Sequence, residues 1–429
     1  HYDSTSNDEW KNGMYWQDNI PVIDQTEAEG HSVRAGYLYS AMADVAALTG
    51  DKKLLQAVDT IWDNLVSKKL YVQGGAGAVG DGERYGDDYQ LPNTTAYNET
   101  CAAVANVFWN ERMFLLHGDS KYIDVLEKIL YNGLISGIGL DGKSFFYTNA
   151  MQVTNNFTHP DLEPERSGWF PCSCCPTNLV RLLPSVPGYI YAQNGDQVYV
   201  NLFISSNVNL KVQDKEVSLT QQNSYPWSGD LKFVVNPKKS FDFSMLIRIP
   251  GWAQNQAIPS DLYSFENSSL EKVSVTINGK EVSYQMQNGY AVLNRKWKKN
   301  DVIEVKLPMQ VRRVVANSKV KNDMGKVALQ RGPIMYCAEW VDNNGKASNI
   351  VMPANTAFKA TYNSGLLNGV ETLQAEVPAV IIENKGESII TQKRKFTAIP
   401  YYAWANRGKG EMMLWLPEKV KDIELVSNE

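Results

Sequence analysis

Apolar residues recur at three- and four-residue spacing through the first ~190 positions, the period of amphipathic helices. The stretch from Gln25 to Leu48 sets Ala35, Leu38, Tyr39, Met42, Val45 and Ala46 on one stripe, and Gly50-Asp51 ends it. A second helix is predicted through Leu54, Val58, Ile61, Trp62 and Leu65, and a third from about Asn98 through Val104, Val107, Phe108, Met113 and Leu116. A fourth covers Tyr122 to about Ile135, and a shorter fifth follows Pro176, a residue suited to a first helical turn. Tight turns between them predict stacked helical hairpins. Two stretches lack the period, Gly74 to Asn93 and Ala150 to Cys175. Structureless loops beyond ~15 residues in a compact domain are more often functional than accidental, and both run into cysteine-bearing segments.

From about Gly188 the period becomes two. Tyr189-Ile190-Tyr191-Ala192 and Val198-Tyr199-Val200-Asn201 flank Asn194-Gly195, the signal of an antiparallel hairpin. Further strands are expected at Phe243 to Ile249, Val273 to Ile277, Ala291 to Asn294, Val302 to Leu307 and Val327 to Leu329. The second half therefore reads as all-β, in one or two sandwiches. A chain of 429 residues has room for two to three such units at ~150 residues each.

Composition changes this picture little: 43% hydrophobic and 21% charged residues are ordinary for a soluble globular protein. No apolar run approaches the ~20 residues of a membrane helix, so no membrane partner is expected. Lysines and arginines are scattered and the net charge is −5, which argues against a nucleic-acid face. No basic region followed by an apolar one opens the chain, so no secretory signal is visible. The cytoplasm or periplasm of a bacterium is the expected setting. The 11 Trp and 22 Tyr lean slightly toward carbohydrate, because aromatic rings stack on sugar faces as well as filling cores.

The cysteines carry more. Five are too few for a disulfide scaffold, and three crowd into Cys172-Ser173-Cys174-Cys175-Pro176. Adjacent cysteines rarely reach relaxed disulfide geometry, so the cluster reads as metal-binding or catalytic. A second segment, Asn98-Glu99-Thr100-Cys101, offers a carboxylate and another thiol. Glu99 and Cys101 with two thiolates of the cluster would complete a tetrahedral zinc shell. For one isolated cysteine a buried thiol would be the better reading; two clusters in a chain this poor in cysteine favour metal. Such a shell has no open position, which disfavours a zinc-bound water as nucleophile. A thiolate held by the metal is the alternative, paired with a loop carboxyl as acid. Glu83 in Gly80-Asp81-Gly82-Glu83-Arg84-Tyr85 is one candidate, competing evenly with Asp81, Asp87 and Asp88.

The motifs Glu29-Gly30-His31-x-Val33-Arg34-Ala35, Ala96-Tyr97-x-Glu99-Thr100-Cys101-Ala102, Phe145-Phe146-Tyr147-x-Asn149, Trp169-Phe170-x-Cys172-x-Cys174-Cys175-Pro176-x-Asn178 and Leu329-Gln330-Arg331-Gly332-Pro333 resemble glycoside hydrolase family 127 and its sister family 146. Both contain β-L-arabinofuranosidases. The resemblance implies that Glu99, Cys101, Cys174 and Cys175 bind zinc, that Cys174 is the nucleophile forming a thioglycosyl intermediate, and that Glu83 is the general acid/base. It places His31 and Tyr147 against the sugar, and an arabinofuranose-containing oligosaccharide of plant type as the substrate. Without it, His31 would read as a structural histidine and Tyr147 as core. Cys172 reads as a packing residue or as one that supports the ligands without being one, and Cys337 as a buried small hydrophobe. The loop Gly74-Gly75-Ala76-Gly77-Ala78-Val79-Gly80 lacks the Gly-Lys-Ser/Thr ending of a phosphate loop.

The resemblance also implies a six-hairpin (α/α) barrel followed by β-sandwich domains: residues 1–188 as the C-terminal part of the barrel, 189–312 as a β-sandwich and 313–429 as a second β-rich domain. Only about five helices precede the β region, and the family's upstream substrate-binding histidines have no place here. The expectation is that an N-terminal part of the barrel lies elsewhere in the same protein or on another polypeptide. Three rivals stand beside this reading. They are the same chemistry on another furanose or branched sugar, a polysaccharide lyase, in which the cysteines would have no role, and a non-catalytic carbohydrate-binding zinc protein.

Overall fold

The computed structural model describes residues 13–154, 164–269, 271–383 and 388–423. Five α-helices form its first part: α1 (Ser32–Thr49), α2 (Lys52–Asn64), α3 (Thr100–His117), α4 (Ser120–Lys128) and α5 (Cys174–Leu182). α1 packs along α3 with Ala35, Tyr39, Met42, Ala43 and Ala46 buried. A β-carbon at Gly36 would meet the Ala105 side chain at 2.8 Å, so the glycine permits the close approach of the two helices. The first helix starts at Ser32 rather than near Gln25. Gly30 takes a left-handed φ of 66° that no helix can propagate, and His31 caps the helix behind it. The Gln25 side chain is instead committed to the Gln17 and Ile20 carbonyls.

α2 and α4 each run into a π-helical turn, Leu65–Lys69 and Ile129–Leu134. The second turn explains the glycine-rich loop. A β-carbon at Gly74 would lie 2.8 Å from the Ile129 backbone, so the loop threads through the buried interior beneath that turn. It is a packing device and presents no phosphate cradle.

The rest of the described chain forms three sheets. One runs in the order Gln285–Gln287, Tyr290–Trp297, Phe241–Arg248, Gln197–Val200, Tyr191–Asn194. Another runs Lys280–Glu281, Ser274–Ile277, Asp301–Lys306, Asp230–Pro237, Lys215–Asn223, Ser206–Val212. Their inner faces share one core, Val198, Met245 and Ile247 against Leu219, Phe233 and Ile303, so they pack face to face. The expected hairpin is present, with Gly195 at a left-handed φ of 60° in its turn. The third sheet is built around the long hairpin Val370–Glu383 and Ser388–Pro400, and its strand Ile334–Glu339 carries the buried Cys337. Tyr263–Phe265, although it lies between strands of the first two sheets in sequence, pairs with Val311–Ala316 in the third.

Two polar joints seat the helices on these sheets. Arg248, fully buried, reaches Asp124 at 2.6 Å and Glu127 at 2.5 Å on α4, and the Tyr225 hydroxyl donates to Glu127. Asn132 in the π turn donates to the Pro333 carbonyl and accepts from the Met335 amide of the third sheet. Gln152–Val153 pairs with Met412–Met413, which extends the third sheet to the loop preceding the cysteine cluster.

Candidate functional site

Three helix N-termini converge on one place. His31 is the N-cap of α1, Glu99 the N-cap of α3 with Cys101 in its first turn, and Cys174 and Cys175 open α5. The positive ends of three helices favour thiolates and carboxylates there. The segment before Asn149 completes the site by pairing with the start of α3. The Thr100 amide donates to the Tyr147 carbonyl at 2.9 Å and its hydroxyl donates to the Phe146 carbonyl at 2.8 Å. Tyr147 is thereby set beside Glu99.

Within this pocket Cys101 Sγ lies 3.4 Å from Cys175 Sγ, and Cys174 Sγ lies 3.9 Å from Cys175 Sγ. Glu99 Oε1 is 3.6 Å from the sulfurs of both Cys174 and Cys175. Glu99, Cys101 and Cys175 are buried and Cys174 is half-buried. Four such donors crowd together at a cost. Burial pushes the Glu99 carboxyl well up, and the Cys175 thiol likewise. Hydrogen bonding with Cys174 raises Cys101, whereas hydrogen bonds from Cys101 and Cys175 pull Cys174 down to about 2. Glu99 Oε2 is buried with no hydrogen-bond partner among the described residues. A cation at the centre would answer both features.

The donor set fits zinc. A tetrahedral ion with Zn–S of ~2.3 Å and Zn–O of ~2.1 Å separates its sulfurs by about 3.8 Å and sulfur from oxygen by about 3.6 Å. The observed spacings of 3.4, 3.9 and 3.6 Å lie close to those edges. Asn178 on α5 donates to Cys101 Sγ at 2.9 Å, and its own amide oxygen accepts from Tyr37 and Arg181. An outer hydrogen bond of this kind orients a metal ligand.

Beside the cluster stands Glu83, gripped on both oxygens. His31 Nε2 lies 3.0 Å from Oε2, while the hydroxyls of Tyr97 and Tyr147 donate to Oε1 at 2.9 and 3.0 Å. The His31 hydrogen bond holds the Glu83 carboxyl below the usual range, burial opposes it, and the two phenols reinforce it. His31 Nδ1 accepts from the Val33 and Arg34 amides, which leaves the ring proton on Nε2, aimed at Glu83. The Tyr147 hydroxyl also lies 3.3 Å from Cys174 Sγ. Phe170 meets the Tyr147 ring edge-on at 5.5 Å, and Trp169 beside it is 64% exposed.

The structure therefore brings together His31, Glu83, Glu99, Cys101, Tyr147, Cys174 and Cys175. It separates Glu83 from its rivals: Asp81 and Asp87 are exposed, and Asp88 is paired with Lys68 at 2.6 Å. Cys172 is exposed and is not one of the four clustered donors, although its thiol hydrogen-bonds Cys174 and so helps to lower it. Tyr97, Asn178 and Ser32, whose hydroxyl donates to the Glu83 carbonyl at 2.9 Å, received no role from sequence alone. Tyr97 and Asn178 fall inside motifs around the cluster, which was the available signal; Ser32 carried none beyond following His31.

Three family models match the chain: the β-L-arabinofuranosidase GH127 catalytic domain over residues 5–188, the GH127 middle domain over 197–309 and the GH127 C-terminal domain over 311–417. The chain belongs to glycoside hydrolase family 127. Family 127 relatives resemble it along nearly its whole length. A non-reducing end β-L-arabinofuranosidase of Bifidobacterium longum subsp. longum is 36% identical, over 94% of this chain and 61% of that protein. A solved GH127 β-arabinofuranosidase superposes with a TM-score of 0.92 at 48% identity, over 96% of this chain and 63% of the other. The GH127 β-L-arabinofuranosidase of Geobacillus stearothermophilus T6 gives 0.89 at 40% identity, over 96% of this chain and 65% of that one. The chain thus spans about three-fifths of the length of the Bifidobacterium relative.

Proposed function

We propose that this family 127 chain carries the active site of a retaining exo-hydrolase that removes β-L-arabinofuranosyl units from the non-reducing end of plant-type oligosaccharides. The names of the relatives support the sugar and the bond. The architecture that goes with this reading is the C-terminal part of an (α/α) barrel in residues 1–188, a β-sandwich in 189–312 and a second β-rich domain in 313–429.

One observation carries the chemistry. Glu83 Oε1 and Cys174 Sγ both reach the Tyr147 hydroxyl, at 3.0 and 3.3 Å, which caps their separation at about 6 Å. Retaining glycosidases hold nucleophile and acid/base ~5 Å apart, and inverting ones leave ~6.5 Å or more for a water. A separation below that bound supports double displacement over inversion.

Glu99, Cys101, Cys174 and Cys175 would hold zinc, which when bound supplies a cysteine kept as thiolate and fixed in direction. Cys174 attacks the anomeric carbon while Glu83, protonated for this step, gives its proton to the departing oxygen. The carbon–sulfur bond of the thioglycosyl intermediate is then broken by water, whose proton Glu83 takes. Glu83 starts out ionised among three donors, so a sugar hydroxyl that displaces His31 or Tyr147 from it would ease its protonation. His31 and Tyr147 are accordingly the residues to meet the furanose.

The test is release of L-arabinose from an aryl β-L-arabinofuranoside by the full-length protein with zinc, the first anomer being read by NMR. Release of the β anomer, and its loss in Cys174→Ser, is the expected result. Release of the α anomer, or unchanged turnover in Cys174→Ser, would remove the thiolate mechanism.

A further inference from the structure

We infer that Ser32 is a positioning residue that holds the backbone of Glu83 in the conformation from which its carboxyl reaches the site; the inference rests on the reading of Glu83 as acid/base. Glu83 has a φ of 52°, in the left-handed region that a residue with a β-carbon rarely adopts. Such a backbone persists only where its surroundings over-determine it, and residues so held cluster at active sites.

The turn itself supplies part of the hold. Val79 and Arg84 exchange backbone hydrogen bonds at 3.2 and 3.0 Å, the Glu83 amide donates to the Gly80 carbonyl at 3.0 Å, and Gly82 is left-handed as well, at 70°. These bonds close the turn. The Arg84 bond also fixes the plane of the Glu83–Arg84 peptide from its N–H side, but none of these bonds engages the Glu83 carbonyl itself. Ser32 takes up that carbonyl. Its side chain is fully buried, and its hydroxyl donates to Glu83 O at 2.9 Å. One peptide further on, the Tyr85 amide donates to the Gly30 carbonyl at 3.0 Å.

His31 and Ser32 are consecutive residues at the start of α1, and they grip opposite ends of the same residue. One holds the carboxylate and the other the carbonyl. The first turn of a rigid helix therefore sets both where Glu83 stands and where it points. Without the Ser32 hydroxyl the Glu83–Arg84 peptide is held from its amide side alone, the Glu83 backbone can relax toward right-handed φ, and its carboxyl tip swings off the leaving oxygen. Misplacement of about 1 Å at a reacting group costs on the order of a hundredfold, and a partial swing less.

General acid help matters for a poor leaving group and little for a good one, so the test is the ratio of kcat/KM on methyl and 4-nitrophenyl β-L-arabinofuranosides in the full-length protein. Ser32→Ala is expected to lower kcat/KM on the methyl glycoside about tenfold while the 4-nitrophenyl glycoside falls less than about twofold, with zinc content and Tm retained. Equal losses on both substrates, or none on either, would overturn the inference. Glu83→Gln, run in parallel, should show the same selectivity more strongly. If it shows none, the acid/base reading of Glu83 is what fails. A crystal structure of Ser32→Ala gives a readout independent of turnover: Glu83 still near 52° with all three side-chain contacts would overturn the role of Ser32. Should Ser32→Ala not fold, Ser32→Cys, a weaker donor, is expected to give the same selectivity at smaller size, and equal losses there would again count against it.

Discussion

Tyr147 stands with its hydroxyl 3.3 Å from Cys174 Sγ, although 27 residues separate the two in sequence. The same hydroxyl donates to Glu83 at 3.0 Å, so a single phenol joins the proposed nucleophile to the proposed acid/base. Tyr147→Phe keeps the edge-on contact with Phe170 and removes only this oxygen. Turnover should fall by about ten- to a hundredfold with zinc content and Tm unchanged. Wild-type kcat in that variant would mean the hydroxyl plays no part.

Metal and thiols should separate cleanly by position. Cys101→Ala and Cys175→Ala each remove a buried donor, and both should lose bound zinc by elemental analysis and melt at lower temperature. Cys172→Ala should retain full zinc, because that thiol is exposed and touches Cys174 without being one of the four donors. Zinc retained in Cys175→Ala, or lost in Cys172→Ala, would show that the ligand set is wrong. Chelation of the wild-type protein should likewise lower Tm and expose reactive thiols.

Glu111 provides a pH dependence remote from the chemistry. It is buried on α3, one of its oxygens has no partner among the described residues, and burial pushes its carboxyl up to about 7, with Arg112 opposing. A folded value above the unfolded one means the native state binds the extra proton. Its contribution is therefore fullest below ~4.5 and is lost as pH rises toward 7. Glu111→Gln should remove that slope, leaving the variant more stable than wild type at pH 8 by on the order of 2 kcal/mol in urea unfolding. Parallel stability–pH curves for the two proteins would refute the assignment.

Arg248 ties helix to sheet through Asp124 and Glu127. Burial raises Asp124 to about 6 even with the guanidinium beside it, which indicates how poorly that pocket tolerates uncompensated charge. Arg248→Met strands two carboxylates and should cost ~3–5 kcal/mol in chemical denaturation. Replacing Asp124 and Glu127 by apolar residues in the same background should recover much of it. A loss below about 1 kcal/mol in the single variant would mean the joint relaxes or admits water.

Much of this molecule was legible in its sequence where local rules suffice. Helical periodicity located all five helices, and Asn194-Gly195 marked its hairpin, because side-chain period and turn chemistry are properties of neighbouring residues. The first helix was drawn seven residues too early, since nothing in composition announces that Gly30 is left-handed and that an imidazole serves as the cap. The strands Ser206–Val212, Lys215–Asn223 and Asp230–Pro237 were not singled out although Val208, Leu210 and Val212, Val217 and Leu219, and Leu231, Phe233 and Val235 alternate with polar positions; in the long C-terminal hairpin the alternation is broken by Gln392-Lys393-Arg394-Lys395. The pairing of Tyr263–Phe265 with a distant sheet has no local signature at all.

For the site, the sequence by itself determined the chemistry available: three crowded cysteines, a second Glu-x-Cys segment and the family motifs that carry them. The family resemblance already singled out Glu83 from Asp81, Asp87 and Asp88; that Glu83 lies beside the cluster, that the Tyr147 hydroxyl reaches both Glu83 and Cys174, and that Ser32 bonds the Glu83 carbonyl were decided only by tertiary structure. Residue types and spacings set which groups a chain can offer. Which groups meet depends on the packing of α1, α3 and α5, whose N-termini converge through contacts between residues more than a hundred positions apart, such as Tyr37 and Asn178.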